Sequence, residues 1–167
     1  AAAVFGQGPR DKNVLAPVPY AAYGQAEHGF DVCSIQFATH YMWESPRTLN
    51  GFLRNVAETT KLGGFFIGTC YDGDAVFKML VDKKRGETVS ISEKGDRIWS
   101  VTKQYSQEEF APDISSVGYA IDVYQESINN TLREYLVNFT YFTRLLENYG
   151  FVPAPHVPGI EGAFEKP

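Results

Sequence analysis

The stretch FDVCSIQF at residues 30–37 is almost continuously apolar, and it is followed by SPRTLNGFLRNVA at residues 45–57 and FFIGT at residues 65–69. The first and third stretches are typical of strands buried on both faces, as in a parallel sheet. In the second, apolar residues recur at i, i+3, i+4, i+7 and i+8, which predicts a helix with one apolar stripe. Ser45 can cap that helix, and Pro46 suits its first turn. Strand, helix and strand in this order predict one right-handed parallel unit.

Later in the chain the pattern changes to antiparallel pairs. Two runs of strand-forming residues flank the turn residues 93–96, which predicts one hairpin. A second pair alternates apolar and polar side chains on either side of residues 127–130, which predicts another hairpin. The four predicted strands are residues 88–92, 97–101, 119–125 and 132–137. The chain is therefore predicted to be α/β, with a parallel core followed by antiparallel strands.

The remaining predictions concern helix ends and the two termini. Asp74 is expected to cap a short helix that runs through Leu80. Asn138 is expected to cap a helix that ends at Tyr149, with Tyr141, Leu145 and Tyr149 on one side and Gly150 at the stop. Residues 151–152 are expected to begin a final strand. Glycine and proline make residues 1–29 loop-rich and residues 153–167 a flexible tail.

Composition and charge limit the classes of protein to which the chain can belong. The chain has 167 residues, which suits one domain, and 44% of them are hydrophobic and 21% charged, which is enough to build a core. The net charge of −5 disfavours a protein that grips long nucleic acid through many phosphates, although one nucleotide or an RNA end could still bind. No apolar run reaches the eighteen or so residues that span a bilayer, so no membrane partner is expected. With three histidines and two cysteines, no metal site is expected either.

Residues 36–44 read QFATHYMWE and follow the first predicted strand directly. In open α/β sheets the carboxyl end of the strands is where ligands bind. This segment places an amide, an imidazole and three large aromatic rings where a chain usually needs only a short turn. It either lines a binding site or simply covers the end of the sheet with Phe37, Tyr41 and Trp43.

The same segment closely resembles the Gln-Phe-x-x-His-Tyr-x-Phe-Glu signature of messenger RNA cap guanine-N7 methyltransferases. Residues 62–69, LGGFFIGT, resemble that family's Pro-Gly-Gly-x-Phe-Ile-Gly-Thr strand, and residues 134–139, EYLVNF, resemble its Glu-Phe-Leu-Val-x-Phe segment. The resemblance covers roughly residues 4–152. The sequence is most similar to the methyltransferase part of capping enzymes from large DNA viruses. Trp43, where the family usually has Phe, is a conservative aromatic change.

The resemblance implies a partial Rossmann-like S-adenosylmethionine-dependent methyltransferase fold and a set of site residues. Gln36 and Tyr41 are carried over to the side that binds S-adenosylmethionine. His40 is carried over to the guanine side, where an imidazole can donate a hydrogen bond to an acceptor such as O6. Phe37 and Tyr41 are suited to stack on or wall in a purine, although Phe37 could equally belong to the core. No catalytic base is expected, because N7 of guanine already carries a free lone pair.

Glu134 alternates with Leu132 and Leu136 and should therefore point to an apolar face, where a carboxylate is costly unless paired. Guanine offers two parallel donors, N1–H and the N2 amino group, and a carboxylate can accept both. The resemblance implies the same guanine-binding role. The alternative is an ion pair with Arg133 or Lys103.

Two elements of the family pattern have no counterpart in this sequence: the Asp-x-Gly-x-Gly-x-Gly turn and the acidic residue for the cofactor ribose. Residues 1–167 are therefore interpreted as the C-terminal portion of one methyltransferase domain, a fragment that would be inactive alone. The alternative interpretation is a non-catalytic stimulatory subunit with a degenerate cofactor site. A small-molecule methyltransferase would share the fold but would not account for a carboxylate at the guanine edge.

The resemblance also implies partners and a compartment. The expected partners are the 5′ end of capped mRNA and either triphosphatase and guanylyltransferase domains of the same polypeptide or a stimulatory subunit. The expected location is intracellular: the viral factory or virion for a viral protein, the nucleus for a cellular one. A short basic run, Lys83-Lys84-Arg85, is interpreted as a solvated loop, and contact with the triphosphate or the RNA backbone is the alternative.

Overall fold

The computed structural model describes residues 2–154, which divide into two compact units, one up to Tyr71 and the other from Asp72. The helices are α1 (Pro17–Ala21), α2 (Pro46–Thr59), α3 (Gly73–Met79) and α4 (Phe139–Glu147). The strands are β1 (Phe30–Gln36), β2 (Thr60–Thr69), β3 (Thr88–Glu93), β4 (Asp96–Lys103), β5 (Ala120–Gln125) and β6 (Asn130–Tyr135). Within residues 2–154, no helix has the length and apolar character needed to cross a membrane.

The first unit contains the predicted parallel pair. β1 and β2 run parallel with Gln36 opposite Thr69, so that the two strands end side by side. α2 connects them and begins at Ser45, whose hydroxyl accepts from the N–H of Thr48 while the Thr48 hydroxyl accepts from the N–H of Ser45. The predicted apolar stripe is confirmed, since Leu49, Leu53 and Val56 are buried.

The prediction that both strands are buried on both faces is wrong. Val32 is 49% exposed, and Phe30, Phe65 and Ile67 are also exposed. The reason is that β1 and β2 form a sheet of only two strands among the described residues, which leaves side chains on both strands uncovered. β2 also starts earlier than predicted, at Thr60, so that the glycines at 63 and 64 lie inside the strand.

The second unit is an antiparallel sheet in the order β3-β4-β5-β6, which confirms both predicted hairpins. The alternation predicted for β5 is also confirmed, because Tyr119, Ile121 and Val123 are buried on one side. The core formed on this face contains Leu80, Val101, Tyr105, Tyr119, Ile121, Val123 and Leu136. Phe77 of α3 stacks on Tyr105 at a ring-centroid distance of 5.7 Å.

Helix ends in the second unit differ in part from the prediction. Asp72, rather than Asp74, caps α3 by accepting from the N–H of Ala75 at 3.1 Å. Asn138 caps α4 as predicted, through the N–H of Tyr141. The helix ends at Glu147, two residues early, and its buried residue is Phe142 rather than one of the predicted side chains.

The predicted final strand is absent from the described part of the chain. Residues 151–154 belong to no helix or strand. The N–H of Phe151 donates to the carbonyl of Leu146 and so closes the end of α4 instead of pairing with a strand. Most of the predicted flexible tail, residues 155–167, lies outside the described residues.

Candidate functional site

Gln36 lies at the carboxyl end of β1, and neighbouring side chains fix its amide. Its Nε2 donates to the hydroxyl of Ser34 at 2.9 Å, and its Oε1 accepts from the hydroxyl of Thr69 at 2.8 Å. The parallel register that places Thr69 opposite Gln36 makes the second bond possible. The amide is thus held at an exposed position on the strand edge, with one N–H and one oxygen lone pair left for a ligand.

Phe37 directly follows Gln36 and has an unusual backbone. Its φ is +50°, which is uncommon for a residue with a side chain and costs on the order of 1–3 kcal/mol. The N–H of Phe37 donates to the carbonyl of Thr69 at 2.8 Å, which holds the turn. Phe37 is 66% exposed and is therefore not a core residue. This conformation keeps an aromatic surface available at the strand edge.

His40 lies in a 3-10 helix formed by Thr39–Glu44 and is only 3% exposed. Its ring is 4.3 Å from that of Tyr41 and stacks on Tyr71 at 5.9 Å, both measured between centroids. Burial lowers the pKa of His40, so the imidazole is neutral near pH 7. A neutral imidazole keeps one N–H donor, which is what a hydrogen bond to a guanine acceptor requires.

The three aromatic residues of this segment have different roles. Trp43 is completely buried and belongs to the core, whereas Tyr41 is 38% exposed and Phe37 more so. The interpretation that all three simply cover the end of the sheet therefore holds for Trp43 alone. Phe37 and Tyr41 remain candidates for contact with a flat ligand.

Glu134 lies on β6, in the second unit, and its side chain is on the apolar face of the sheet, as predicted. It is opposite Ile121 and only 5% exposed, and burial raises the pKa of its carboxyl to about 7. Arg133 forms an ion pair with Asp122, and the ammonium of Lys103 donates to the carbonyl of Leu80. Glu134 is thus a buried ionisable group that titrates in the physiological range, which is typical of functional sites.

The raised pKa predicts how stability varies with pH. The folded chain holds the Glu134 proton up to about pH 7, whereas the unfolded chain releases it near 4.5. The free energy of unfolding should therefore fall as pH rises from 4.5 to 7, by at most about 3 kcal/mol from this group. Denaturant unfolding at pH 5, 6, 7 and 8 measures it, and Glu134→Gln should remove this component. If the free energy of unfolding varied with pH in the same way in both proteins, Glu134 would not be the source of the pH dependence.

Two residues that support the candidate site residues were not identified by sequence reasoning. Thr69 fixes the Gln36 amide and Tyr71 stacks on His40, and both lie at or just after the end of β2. The available signal was the parallel pairing itself, because it brings the residues after each strand to the same edge. The predicted residues Gln36, Phe37, His40 and Tyr41 all lie at this edge in the first unit, and Glu134 lies in the second unit.

The fold defines the class as an α/β domain that carries exposed polar and aromatic side chains at the carboxyl end of a parallel strand. The family model of the mRNA (guanine-N(7))-methyltransferase domain matches residues 17–154. The chain therefore belongs to the mRNA (guanine-N7)-methyltransferase family.

The names of individual relatives are consistent with this family. The chain is 32% identical over 123 residues to mRNA cap guanine-N(7) methyltransferase 1 of Arabidopsis thaliana, an alignment that covers 72% of the chain and 31% of the plant protein. It is 32% identical over 121 residues to the mRNA cap guanine-N(7) methyltransferase of Aspergillus niger, covering 72% of the chain and 19% of the fungal protein. It is 28% identical over 113 residues to the "Probable mRNA-capping enzyme" of Acanthamoeba polyphaga mimivirus, covering 65% of the chain and 9% of the viral protein.

The chain thus spans about a third or less of the length of these curated relatives. Their names describe enzymes that act on mRNA caps. They give no support to the alternative of a non-catalytic stimulatory subunit.

Proposed function

We propose that the protein carrying this chain transfers a methyl group from S-adenosylmethionine to N7 of the guanosine cap of mRNA. The observation that carries the proposal is Glu134: a carboxylate buried on an apolar face, at the position where the sequence resembles the family's Glu-Phe-Leu-Val segment. The family match over residues 17–154 also supports it.

The residues at the carboxyl end of β1 fit an adenosyl-bearing cofactor. Gln36 offers an amide fixed by two hydrogen bonds, and Tyr41 offers a partly exposed ring close to it in sequence. We propose that these two residues contact S-adenosylmethionine. When bound, it supplies an electrophilic methyl group on a sulfonium centre.

Guanine recognition is assigned to Glu134, His40 and Phe37. The ionised carboxylate of Glu134 accepts from N1–H and the N2 amino group, which are parallel donors. The neutral imidazole of His40 donates to O6, and the exposed ring of Phe37 stacks on the base. The two hydrogen bonds to Glu134 distinguish guanine from adenine, because N1 of adenine is an acceptor and its C2 carries no amino group.

The chemistry requires these residues to position the base rather than to move a proton. N7 has a free lone pair and no hydrogen, so no general base removes a proton there. Rate enhancement then comes from holding N7 in line with the methyl group and from complementing the charge that moves onto the base. A carboxylate at the N1–N2 edge stabilises the positive charge that develops on guanine as N7 is methylated.

The partners and the compartment follow from this function. We propose that the protein acts on the 5′ end of capped mRNA, together with triphosphatase and guanylyltransferase domains of the same polypeptide or with a stimulatory subunit. It would work where transcripts are capped, in the viral factory or virion for a viral protein and in the nucleus for a cellular one.

The test is a methyl-transfer assay with the complete protein, methyl-labelled S-adenosylmethionine and RNA that begins with an unmethylated guanosine cap. Digestion of the product to cap dinucleotides should place the label on N7 of guanosine. A substrate that already carries the N7 methyl group should accept no label. Label on a ribose oxygen or on an internal base would contradict the proposal.

A further inference from the structure

A cavity in the second unit is lined by the basic run that the methyltransferase site does not use. Its volume is about 380 Å³, within the range of small-ligand sites. Four cationic side chains line it, three from the loop after α3 and one from the end of β4; they are Lys83, Lys84, Arg85 and Lys103. Asp82 and Glu108 also line it, which leaves the lining two charges positive in a chain whose net charge is −5.

Lys103 is the buried cation of this basic pocket. It is only 7% exposed, its Nζ donates to the carbonyl of Leu80 at 3.1 Å, and it lies 4.8 Å from the centre of the Tyr105 ring. Among residues 2–154, no carboxylate forms an ion pair with Lys103 or with the three loop cations. A buried ammonium without a counter-charge is costly, and an anion in the pocket would offset that cost.

Tyr105 supplies a second, independent indication. Its hydroxyl is buried and has no hydrogen-bond partner among the described residues, although Tyr105 lines the pocket. Burial is the main cause of the raised pKa of Tyr105, so the group remains a neutral O–H donor. Buried hydroxyls are usually satisfied, and an oxygen-rich anion would accept from this one.

The basic loop is fixed to the sheet. The N–H of Gly86 donates to the carbonyl of Lys103 at 2.7 Å, and the N–H of Lys103 donates to the carbonyl of Glu87 at 3.0 Å. The side chain of Glu87 accepts from the N–H of Lys84 at 2.8 Å. The loop cations therefore lie on an ordered backbone, which lowers the entropy cost of binding.

We propose that this basic pocket binds a phosphate group of the RNA strand on which the protein acts. The inference rests on the proposed function for the identity of the strand. Phosphate oxygens match a set of ammonium, guanidinium and hydroxyl donors. Lys84 and Arg85 are exposed at the rim, so a strand can run past them while one phosphate enters.

The test measures binding of a fluorescein-labelled, uncapped single-stranded RNA to the complete protein by anisotropy at several KCl concentrations. We expect the Lys84→Ala/Arg85→Ala double variant to bind about tenfold more weakly. The slope of log affinity against log salt should fall by about 0.7 for each phosphate that the variant no longer neutralises. Tyr105→Phe, which keeps the stacked ring and removes only the hydroxyl, should weaken binding by about fivefold.

The matched control is Lys78→Ala/Lys94→Ala, which removes the same charge from exposed positions of the same unit outside the pocket. Equal losses of affinity in the two double variants would overturn the proposal, because the loss would then come from the overall charge and not from the pocket. Inorganic pyrophosphate tests the source of the phosphate. If the pocket variant lost pyrophosphate binding while it bound RNA normally, the assignment to RNA would be wrong.

Because the probe carries no cap and the assay contains no methyl donor, this experiment is independent of methyl transfer. Normal cap methylation with no difference between the pocket and control variants overturns the pocket alone. A clear difference in a protein that methylates no cap overturns the proposed function and leaves the basic pocket as a phosphate site for RNA.

Discussion

The Glu134→Gln variant is expected to lose at least about 100-fold in kcat/KM for cap methylation at pH 8, where the native carboxyl is ionised. Gln replaces one acceptor oxygen with a donor, so one of the two guanine donors no longer has an acceptor and meets another donor instead. A hydrogen bond to a charged group contributes about 1.5–3 kcal/mol, and leaving a buried donor unpaired adds a further penalty. Steady-state kinetics on capped RNA measures the effect.

Two controls separate recognition from folding. Glu126→Gln, at an exposed position on the turn between β5 and β6, should retain full activity. The Glu134 variant should be at least as stable as the native protein at pH 8, because it removes a buried group that ionises. Near-native kcat/KM in the Glu134 variant would refute its role in guanine recognition.

Gly73→Ala is expected to lower the free energy of unfolding by about 3 kcal/mol or more. Gly73 is buried at the start of α3, and a Cβ placed on it would overlap the carbonyl oxygen of Val137 and lie 2.8 Å from the carbonyl carbon. The obstructing atoms are backbone, so they cannot rotate away. α3 would have to separate from the segment that follows β6, and Phe77 and Val76 would pack less closely against the core.

The same substitution at Gly51 should change the free energy of unfolding in the opposite direction. Gly51 lies inside α2, and a Cβ there would meet no atom within 4 Å beyond its chain neighbours and the backbone of its own helix. Alanine should therefore stabilise the helix, by up to about 1 kcal/mol. Denaturant unfolding of both variants makes the comparison, and a destabilisation of equal size in both would contradict the account of Gly73.

Local sequence signals were sufficient where local interactions decide the structure. Ser45 and the spacing of Leu49, Leu53 and Val56 specify α2 almost residue by residue, because a cap and an apolar stripe are properties of the segment itself. The hairpins were predictable for the same reason. The turn at Lys94 and Gly95 places two residues at positive φ between strands of alternating character.

The prediction errors occurred where contacts with residues distant in the sequence determine the structure. Asp72 and Asp74 are both suitable caps by local sequence, and in the structure Asp72 accepts from the N–H of Ala75, beside Gly73, which lies close to the backbone of Val137. Likewise, the apolar sequence of β1 predicts a strand, but it does not say what covers that strand. Val32 is consequently half-exposed although its neighbours suggested full burial.

The candidate site shows the same division. Gln36 and His40 were predicted from one continuous segment, because that segment follows a strand and resembles the family's signature. Their supports, Thr69 and Tyr71, come from a distant segment and required the strand register. Tyr105 was missed because an unpartnered hydroxyl is a property of packing, which periodicity does not encode.

The most direct test of the central claim pairs a change in guanine with a change in Glu134. Inosine keeps N1–H and lacks the N2 amino group, so it removes one of the two donors assigned to the carboxylate. Single-turnover methylation should favour a guanosine cap over an inosine cap by at least about tenfold in the native protein. In Glu134→Ala the two caps should react within about twofold of each other. A variant that still prefers guanosine tenfold would show that another group recognises this edge of the base.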